Sequence, residues 1–190
     1  MFRVLMALFL VLGSLLHLQA QSEFTVRRVY VISDYNSRYI LTYADRLIPR
    51  EEMIDGETVG CFVAKLKESQ LFDDIKTELA PVKGTGSFDL IVRPKYKVNP
   101  NALVVKEIDL NKSFGLDNAA FMARLAGNNV VIGMPFNPYT EIERSIAKVL
   151  EEIPEESNTK GPELWISVKI MESTNAYLFV TDRPPSCRKL

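Results

Sequence analysis

The residues that carry most enzyme chemistry are scarce in this chain of 190 residues. It holds one histidine, His17, and two cysteines, Cys61 and Cys187. Nucleophilic triads and most catalytic zinc sites require an imidazole, and His17 lies in a segment that we expect to be removed. No GxxxxGK[ST] phosphate loop occurs. The sequence therefore predicts a protein that is not an enzyme, without a cofactor or a metal site.

The two cysteines leave two interpretations open. In an exported chain Cys61 and Cys187 could form a disulfide that fastens the C-terminal tail to the first half of the chain. Alternatively, Cys61 is a buried small apolar residue and Cys187 is a free thiol. The sequence alone does not give the distance between their Cα atoms, which decides whether a bond can form.

The first 20 residues are typical of a secretory signal peptide. Arg3 supplies a positive charge, residues 4–16 form a short apolar run, and residues 18–20 end in the small residue that a signal peptidase prefers. The apolar run is short for a membrane span, which needs about 20 residues. We therefore expect an exported protein of the periplasm or the outer membrane. An uncleaved N-terminal anchor is the alternative.

Composition and charge indicate a folded protein that does not bind nucleic acid. Hydrophobic residues make up 47% and charged residues 25% of the chain, as in ordinary globular domains. The formal net charge is −1, whereas nucleic-acid-binding domains usually carry a strong basic excess. The neighbouring Arg27 and Arg28 could touch anionic lipid headgroups, but two charges support peripheral membrane contact at most.

The order of predicted elements is repeated in the two halves of the chain. Residues 23–98 show a β-branched strand, two helical patterns and two further strands, and residues 101–184 show the same order. Residues 185–190 form a polar tail. We therefore predict an α+β fold with two tandem β-α-α-β-β units, each a three-stranded sheet with two helices on one face.

Two segments resemble POTRA (polypeptide-transport-associated) domains. In that family a helix ending in L…S/T-G-x-F-x-D-V leads directly into the second strand, and here Leu66, Phe72 and Asp73 occupy the matching positions. In the second half, Gly133 and Phe136 match a G-x-x-F/Y pattern that precedes a helix in the same family. Together the two units would cover nearly all of residues 23–184.

The sequence departs from the family pattern in three places. Gln70 stands where the family often has glycine, and the second half lacks the Phe-Asp-Asp motif. POTRA domains usually precede a membrane barrel, and no barrel sequence follows Leu190. We therefore expect a tandem pair that acts as a separate exported subunit.

The resemblance implies a binding module that pairs an edge strand with an extended polypeptide. The implied partner is an envelope protein, either an outer-membrane β-barrel or an unfolded client. The candidate edge strands are residues 73–79 and 164–170, and their candidate partner-binding residues are Asp74, Ile75, Lys76, Thr77, Glu78, Trp165, Ser167 and Lys169.

Three alternatives remain open at this stage. The charged residues Asp74, Lys76 and Glu78 could merely solvate one face of a sheet, and Trp165 could pack beneath a helix. The chain could also be an exported ligand-binding or enzyme-like α+β protein that uses a cleft between the two halves. A third possibility is a purely structural envelope protein. The sequence does not give the oligomeric state.

Overall fold

The computed structural model describes residues 23–136, 139–152, 164–172, 174–182 and Cys187. The predicted signal peptide, residues 1–20, and the predicted tail, apart from Cys187, lie outside the described residues. Within the described residues the protein has an α+β fold with a four-stranded sheet, a three-stranded sheet and four α-helices. The two sheets belong to the two predicted units.

The first unit contains four strands and two helices. In chain order they are β1 (Phe24–Val31), α1 (Arg38–Leu47), β2 (Met53–Ile54), α2 (Gly56–Lys67), β3 (Phe72–Pro81) and β4 (Phe88–Tyr96). The sheet order is β2-β1-β4-β3, with β1 and β4 parallel and the other neighbouring pairs antiparallel.

The second unit repeats this plan without the short extra strand. Its elements are β5 (Val104–Leu110), α3 (Asn118–Gly127), α4 (Tyr139–Glu151), β6 (Trp165–Glu172) and β7 (Asn175–Thr181). The sheet order is β5-β7-β6, so the first and last strands of the unit are parallel neighbours here as well.

Two details of the first sheet differ from the prediction. The two-residue strand β2 pairs with Phe24 and Thr25 and makes the sheet four-stranded instead of three-stranded. The sequence also predicts that β4 stops before Pro94, but the strand continues to Tyr96. Pro94 is tolerated because it lies opposite Ile75 at a position where neither residue donates to the other strand.

Two of the helices begin at side-chain caps. The carboxylate of Asp55 accepts a hydrogen bond from the backbone N–H of Thr58 at the start of α2. Asp117 accepts from the backbone N–H groups of Ala119 and Ala120 at the start of α3. Both caps satisfy N–H groups that the first helical turn leaves without a partner inside the helix.

The two units share one hydrophobic core across their junction. A chain of neighbouring aromatic rings runs from the first unit into the second, through Tyr35, Tyr96, Phe72, Tyr39, Tyr43 and Trp165. At its end Trp165 of β6 packs edge-on against Tyr43 of α1, with ring centroids 4.5 Å apart. The backbone N–H of Ile170 also donates to the carbonyl oxygen of Ser69 at 2.8 Å.

A disulfide adds a covalent link between the units. Cys61 of α2 is bonded to Cys187, which follows β7, and the Cα atoms of the pair are 5.7 Å apart. The bond spans 126 residues in sequence and therefore closes a loop that includes most of both units. This is the first of the two interpretations that the sequence left open.

Candidate functional site

The outer edge of β3 is the first candidate site, and the hydrogen-bond register shows which of its groups face outward. The N–H of Val82 donates to the carbonyl of Ser87 at the end of the hairpin. In an antiparallel ladder, hydrogen-bonded and non-hydrogen-bonded residue pairs alternate. Every second residue of β3 therefore directs its backbone N–H and C=O groups toward β4, and the residues between direct theirs outward. The outward-facing backbone groups belong to Ile75, Thr77 and Leu79.

Two of these positions are left open in the part of the chain that the structure describes. The N–H of Ile75 hydrogen-bonds to the carboxylate of Asp74. No hydrogen bond joins the N–H of Thr77 or Leu79 to another described residue, and β4 is the sheet partner of β3. Pro81 comes next in the outward-facing series and has no N–H, which ends the donor row. The edge thus offers two adjacent open positions for an extended chain.

The acidic residues of β3 are each neutralised by a basic residue on a neighbouring element. The N–O contacts are Asp73 with Lys95 at 2.6 Å, Asp74 with Lys67 at 3.2 Å and Glu78 with Arg93 at 4.0 Å. These pairs are largely exposed, so each adds little to stability. Their main effect is to fix the pattern of charge along the edge.

Hydrogen bonds to these carboxylates favour their charged form. Lys95 holds the pKa of Asp73 below its ordinary value by hydrogen bonding and by its charge. Lys67, and after it the N–H of Ile75, lower the pKa of Asp74 in the same way. Both carboxylates therefore stay ionised at neutral and mildly acidic pH. Their contribution to stability is lost only when the pH falls through the lowered pKa values.

Lys76 differs from its acidic neighbours. It is exposed, and within the described residues no ion pair holds its ammonium group. Its direct cross-strand partner is Arg93, another cation. Like charges placed opposite each other on a sheet are unfavourable, so the centre of the edge carries positive charge that the protein does not fully compensate.

The second predicted edge, β6, is an edge strand, and the first unit contacts it near both of its ends. Trp165 is only 4% exposed because Tyr43 packs against it, so its side chain offers little surface to a partner. The outward N–H of Ile170 is taken by Ser69. Sequence reasoning missed Tyr43, because nothing local to Trp165 shows which distant ring will cover it.

The other two predicted residues on β6 lie away from the strand's outer edge. Ser167 and Lys169 are paired with Phe179 and Tyr177 of β7. Their backbone groups point toward β7, because the N–H of Ile170 points outward and strand residues alternate. Ser167 is half-buried and Lys169 is exposed. The structure does not bring them together with the residues of β3.

At the opposite edge of the second sheet, the start of β5 is paired with a later segment of its own chain. The N–H of Gly133 donates to the carbonyl of Val105 at 2.7 Å, and the N–H of Phe136 donates to Leu103 at 2.8 Å. Gly133 has a φ of +90°, a region that disfavours residues with a side chain. Gly133 and Phe136, the two residues of the second half that match the family pattern, thus lie in the segment that pairs with the start of β5. The side chain of Phe136 is buried.

The matched residues of the first half have structural positions. Leu66 and Phe72 are buried in the core, whereas Asp73 is exposed and bound to Lys95. Gln70, which stands where the family often has glycine, has a φ of +61°. The chain therefore makes the left-handed turn between α2 and β3 that glycine would favour, but with a side chain present.

Among the described residues, a small cavity lies at the junction between the units. It has a volume of about 30 Å³ and is lined in part by Tyr39, Phe72 and Phe136. This volume corresponds to about one water molecule. A larger depression of about 450 Å³ lies on the first unit beside Asp34, Tyr35 and Lys97, and it is open and largely polar.

In the described part of the chain, no group of three or more potential metal-ligating side chains occurs. None of the described helices is long and apolar enough to cross a bilayer. Of the two arginines considered for lipid contact, Arg27 binds Asp89 through two nitrogens, at 3.0 and 3.2 Å.

Comparison with known families and curated proteins gives no match to any family model and no matching curated protein. Several solved structures do match. The N-terminal domain of Omp85 from the cyanobacterium Thermosynechococcus elongatus matches with a TM-score of 0.35 and 10% identity over 85% of this chain. This chain covers 64% of that structure, so it spans slightly less than two thirds of its length.

Two further structures carry POTRA domains in their descriptions. POTRA1-2 of the periplasmic domain of Omp85 from Anabaena gives a TM-score of 0.34 and 11% identity, covering 86% of this chain and 97% of that one. POTRA3-5 of BamA from Haemophilus influenzae gives 0.32 and 11%, covering 87% and 69%. The solved structures that this chain resembles thus include the family that its sequence motifs suggest, at low identity and low structural overlap.

Proposed function

We propose that this protein is a non-enzymatic interaction module of the cell envelope, and that the outer edge of β3 binds an extended segment of a partner by strand pairing. The partner is an outer-membrane barrel protein or an unfolded client on its way to the membrane. The module serves the assembly or transport of such proteins. The predicted POTRA-type sequence motifs agree with this role.

The observation that carries the proposal is the state of the β3 edge. It belongs to a ten-residue strand, and the outward N–H groups of Thr77 and Leu79 have no partner among the described residues. An open edge readily accepts another strand, because backbone pairing does not depend on side-chain identity. At the edges of the second sheet, residues 133–136 pair with Leu103 and Val105 at the start of β5, and the N–H of Ile170 on β6 donates to Ser69 of the first unit.

The envelope location is supported by two features. The predicted signal peptide directs export. A disulfide between Cys61 and Cys187 suits an oxidising compartment, where such bonds persist.

A ligand site in a cleft between the halves is less well supported. The cavity at the junction is about 30 Å³, which is far below the several hundred Å³ of a typical small-molecule site. Trp165 and Tyr43 fill the space where such a cleft would open.

Photo-crosslinking in the source cells tests the proposal. A photoreactive amino acid at position 78 on β3 should capture an envelope protein, whereas the same probe at Lys148 on the exposed side of α4 should not. The variant Thr77→Pro removes one outward N–H without breaking the ladder to β4. It should abolish the adduct at position 78.

The matched variant Thr77→Ala removes the same side chain but keeps the N–H, so the adduct should persist. Circular dichroism checks that each variant is folded. An adduct that survives Thr77→Pro unchanged in a folded protein would rule out strand pairing at this edge. Absence of any adduct at position 78 in the expressed, folded protein would count against the proposed function as a whole.

A further inference from the structure

The charged side chains on one face of β3 alternate in sign along the strand. On the face opposite the helices the strand presents Asp74, Lys76 and Glu78 in succession. The two acidic residues are held by Lys67 and Arg93. The lysine between them has no ion pair among the described residues.

The register makes the position of Lys76 unfavourable in the protein alone. Lys76 and Arg93 are direct cross-strand partners, so two cations face each other on one side of Lys76. Arg93 also lies 4.0 Å from Glu78. Lys76 forms no ion pair among the described residues. The pKa of Asp74 is lowered most by its hydrogen bond with Lys67, and the charge of Lys76 is the smallest of the influences that lower it. The side of Lys76 that faces away from Arg93 is the open edge.

A strand added at this edge would bring one of its side chains directly opposite Lys76. Lys76 and Arg93 form a hydrogen-bonded pair, so in an antiparallel added strand the new pair at Lys76 is of the non-hydrogen-bonded kind, in which side chains approach more closely. The Cβ atoms of such directly opposed residues lie about 4.5–5.5 Å apart. An acidic side chain at that point would compensate Lys76.

The neighbouring positions of an added strand meet different surroundings. Residues two places on either side would lie opposite Asp74 and Glu78, where another acidic side chain is unfavourable. The residues between would point to the helix face, opposite buried Ile75 on one side and exposed Thr77 on the other. The position beside Ile75 favours an apolar side chain.

We propose that the β3 edge selects a segment with one acidic residue opposite Lys76, an apolar residue beside Ile75, and neutral or basic residues opposite Asp74 and Glu78. The inference rests on the proposed function, because it specifies the partner of the same edge. The charge pattern is symmetric about the acidic residue, so it holds for either direction of the added strand. The partner is therefore a polypeptide, recognised by charge complementarity at one position.

The test uses three synthetic nine-residue peptides of the form Thr-Thr-Lys-Val-X-Val-Lys-Thr-Thr, in which X is Glu, Gln or Lys. Each is titrated into the ¹⁵N-labelled, disulfide-bonded protein while the amide signals of Thr77 and Leu79 are followed. The Glu peptide should bind about three- to tenfold more tightly than the Lys peptide, with the Gln peptide between them.

Charge reversal provides the specific control. In Lys76→Glu the order of the three peptides should invert, and in Lys76→Gln the differences should disappear. Both changes are at an exposed side chain, so the fold should be kept. The matched variant Lys148→Glu, on α4, alters the net charge equally and should leave the original order unchanged.

The outcomes separate this inference from the proposed function. If the three peptides shift the Thr77 and Leu79 signals with equal affinity, the edge pairs with strands but does not select charge, and the inference is overturned while the proposed function stands. If no peptide shifts these signals, both are overturned. An order that Lys148→Glu inverts as Lys76→Glu does would reduce the effect to net charge and would also overturn the inference.

Discussion

Gln70 takes the left-handed turn that leads from α2 into β3, with a φ of +61°. A residue with a side chain is disfavoured there, whereas glycine adopts this conformation without a steric penalty. Gln70→Gly should therefore increase the free energy of unfolding by about 0.5–1 kcal/mol, measured by urea denaturation. Gln70→Ala, which keeps a Cβ, should bring no such gain. If glycine lowers the stability, the turn is not left-handed in solution.

Tyr43 of α1 is buried at the junction between the two units, where its ring packs against Trp165. Burial raises the pKa of Tyr43 to about 12, and hydrogen bonding with Tyr39 and Trp165 acts in the opposite direction. The stability that its neutral hydroxyl provides is complete below about pH 10, the ordinary tyrosine pKa, and is lost as the pH rises through about 12.

The variant Tyr43→Phe cannot ionise, so its stability should fall less steeply than that of the parent between pH 10 and 12. Chemical denaturation at several alkaline pH values measures this, and Tyr30→Phe, at an exposed residue, is the control. Identical pH slopes for the parent and Tyr43→Phe would show that Tyr43 is not buried at the junction.

At the level of single residues the sequence predicts burial better than it predicts partners. Leu66, near the end of α2, and Phe72, at the start of β3, are buried as the motif implies. At each of these positions only one direction leads into the core, and an apolar side chain packs in that direction. The partner of Lys76 across the sheet was not predictable. It depends on the register between β3 and β4, which a one-residue slip would change entirely.

Among the elements, β3 is the one whose backbone makes the proposed site, and its two kinds of position should respond differently to proline. Lys76→Pro removes an N–H that bonds to β4, whereas Thr77→Pro removes one that points outward. Lys76→Pro should therefore destabilise the protein by about 1–3 kcal/mol more than Thr77→Pro, in thermal or chemical denaturation. Equal losses would mean that the assigned register is wrong.

The strands and helices follow largely from sequence patterns. The alternation of Asp74, Lys76 and Glu78 with less polar residues predicts β3, and capping by Asp117 predicts the start of α3. The strand β2 was missed, since two residues are too few to show a period. Pro94 suggested a strand end, because its tolerance depends on which side of β4 faces the neighbouring strand.

In the whole molecule, the disulfide and the aromatic junction hold the two units together. The bond between Cys61 and Cys187 closes a loop of more than a hundred residues, which restricts the unfolded chain strongly. Reduction, or the double variant Cys61→Ser with Cys187→Ser, should lower the free energy of unfolding by about 2–5 kcal/mol. The double variant should be insensitive to added dithiothreitol. An equal response of parent and variant to the reductant would show that the bond is not formed in solution.

The contacts across the junction could not be predicted from the sequence. The sequence indicates that β6 is an edge strand, and it is. It does not indicate that Tyr43, more than a hundred residues earlier, covers Trp165, or that Ser69 binds the backbone of Ile170. Such contacts depend on how two units are docked, which local periodicity does not encode. Of the two candidate edges, the one on β6 therefore has part of its outer side taken by the first unit.

Amide hydrogen exchange along β3, followed residue by residue by NMR in the disulfide-bonded protein, tests the central claim most directly. An edge strand with an open outer side should show alternating protection. The amides of Lys76 and Glu78, bonded to β4, should exchange slowly, and those of Thr77 and Leu79 should exchange fast. Slow exchange at all four positions would show that the edge is already covered and would contradict the proposed role of β3.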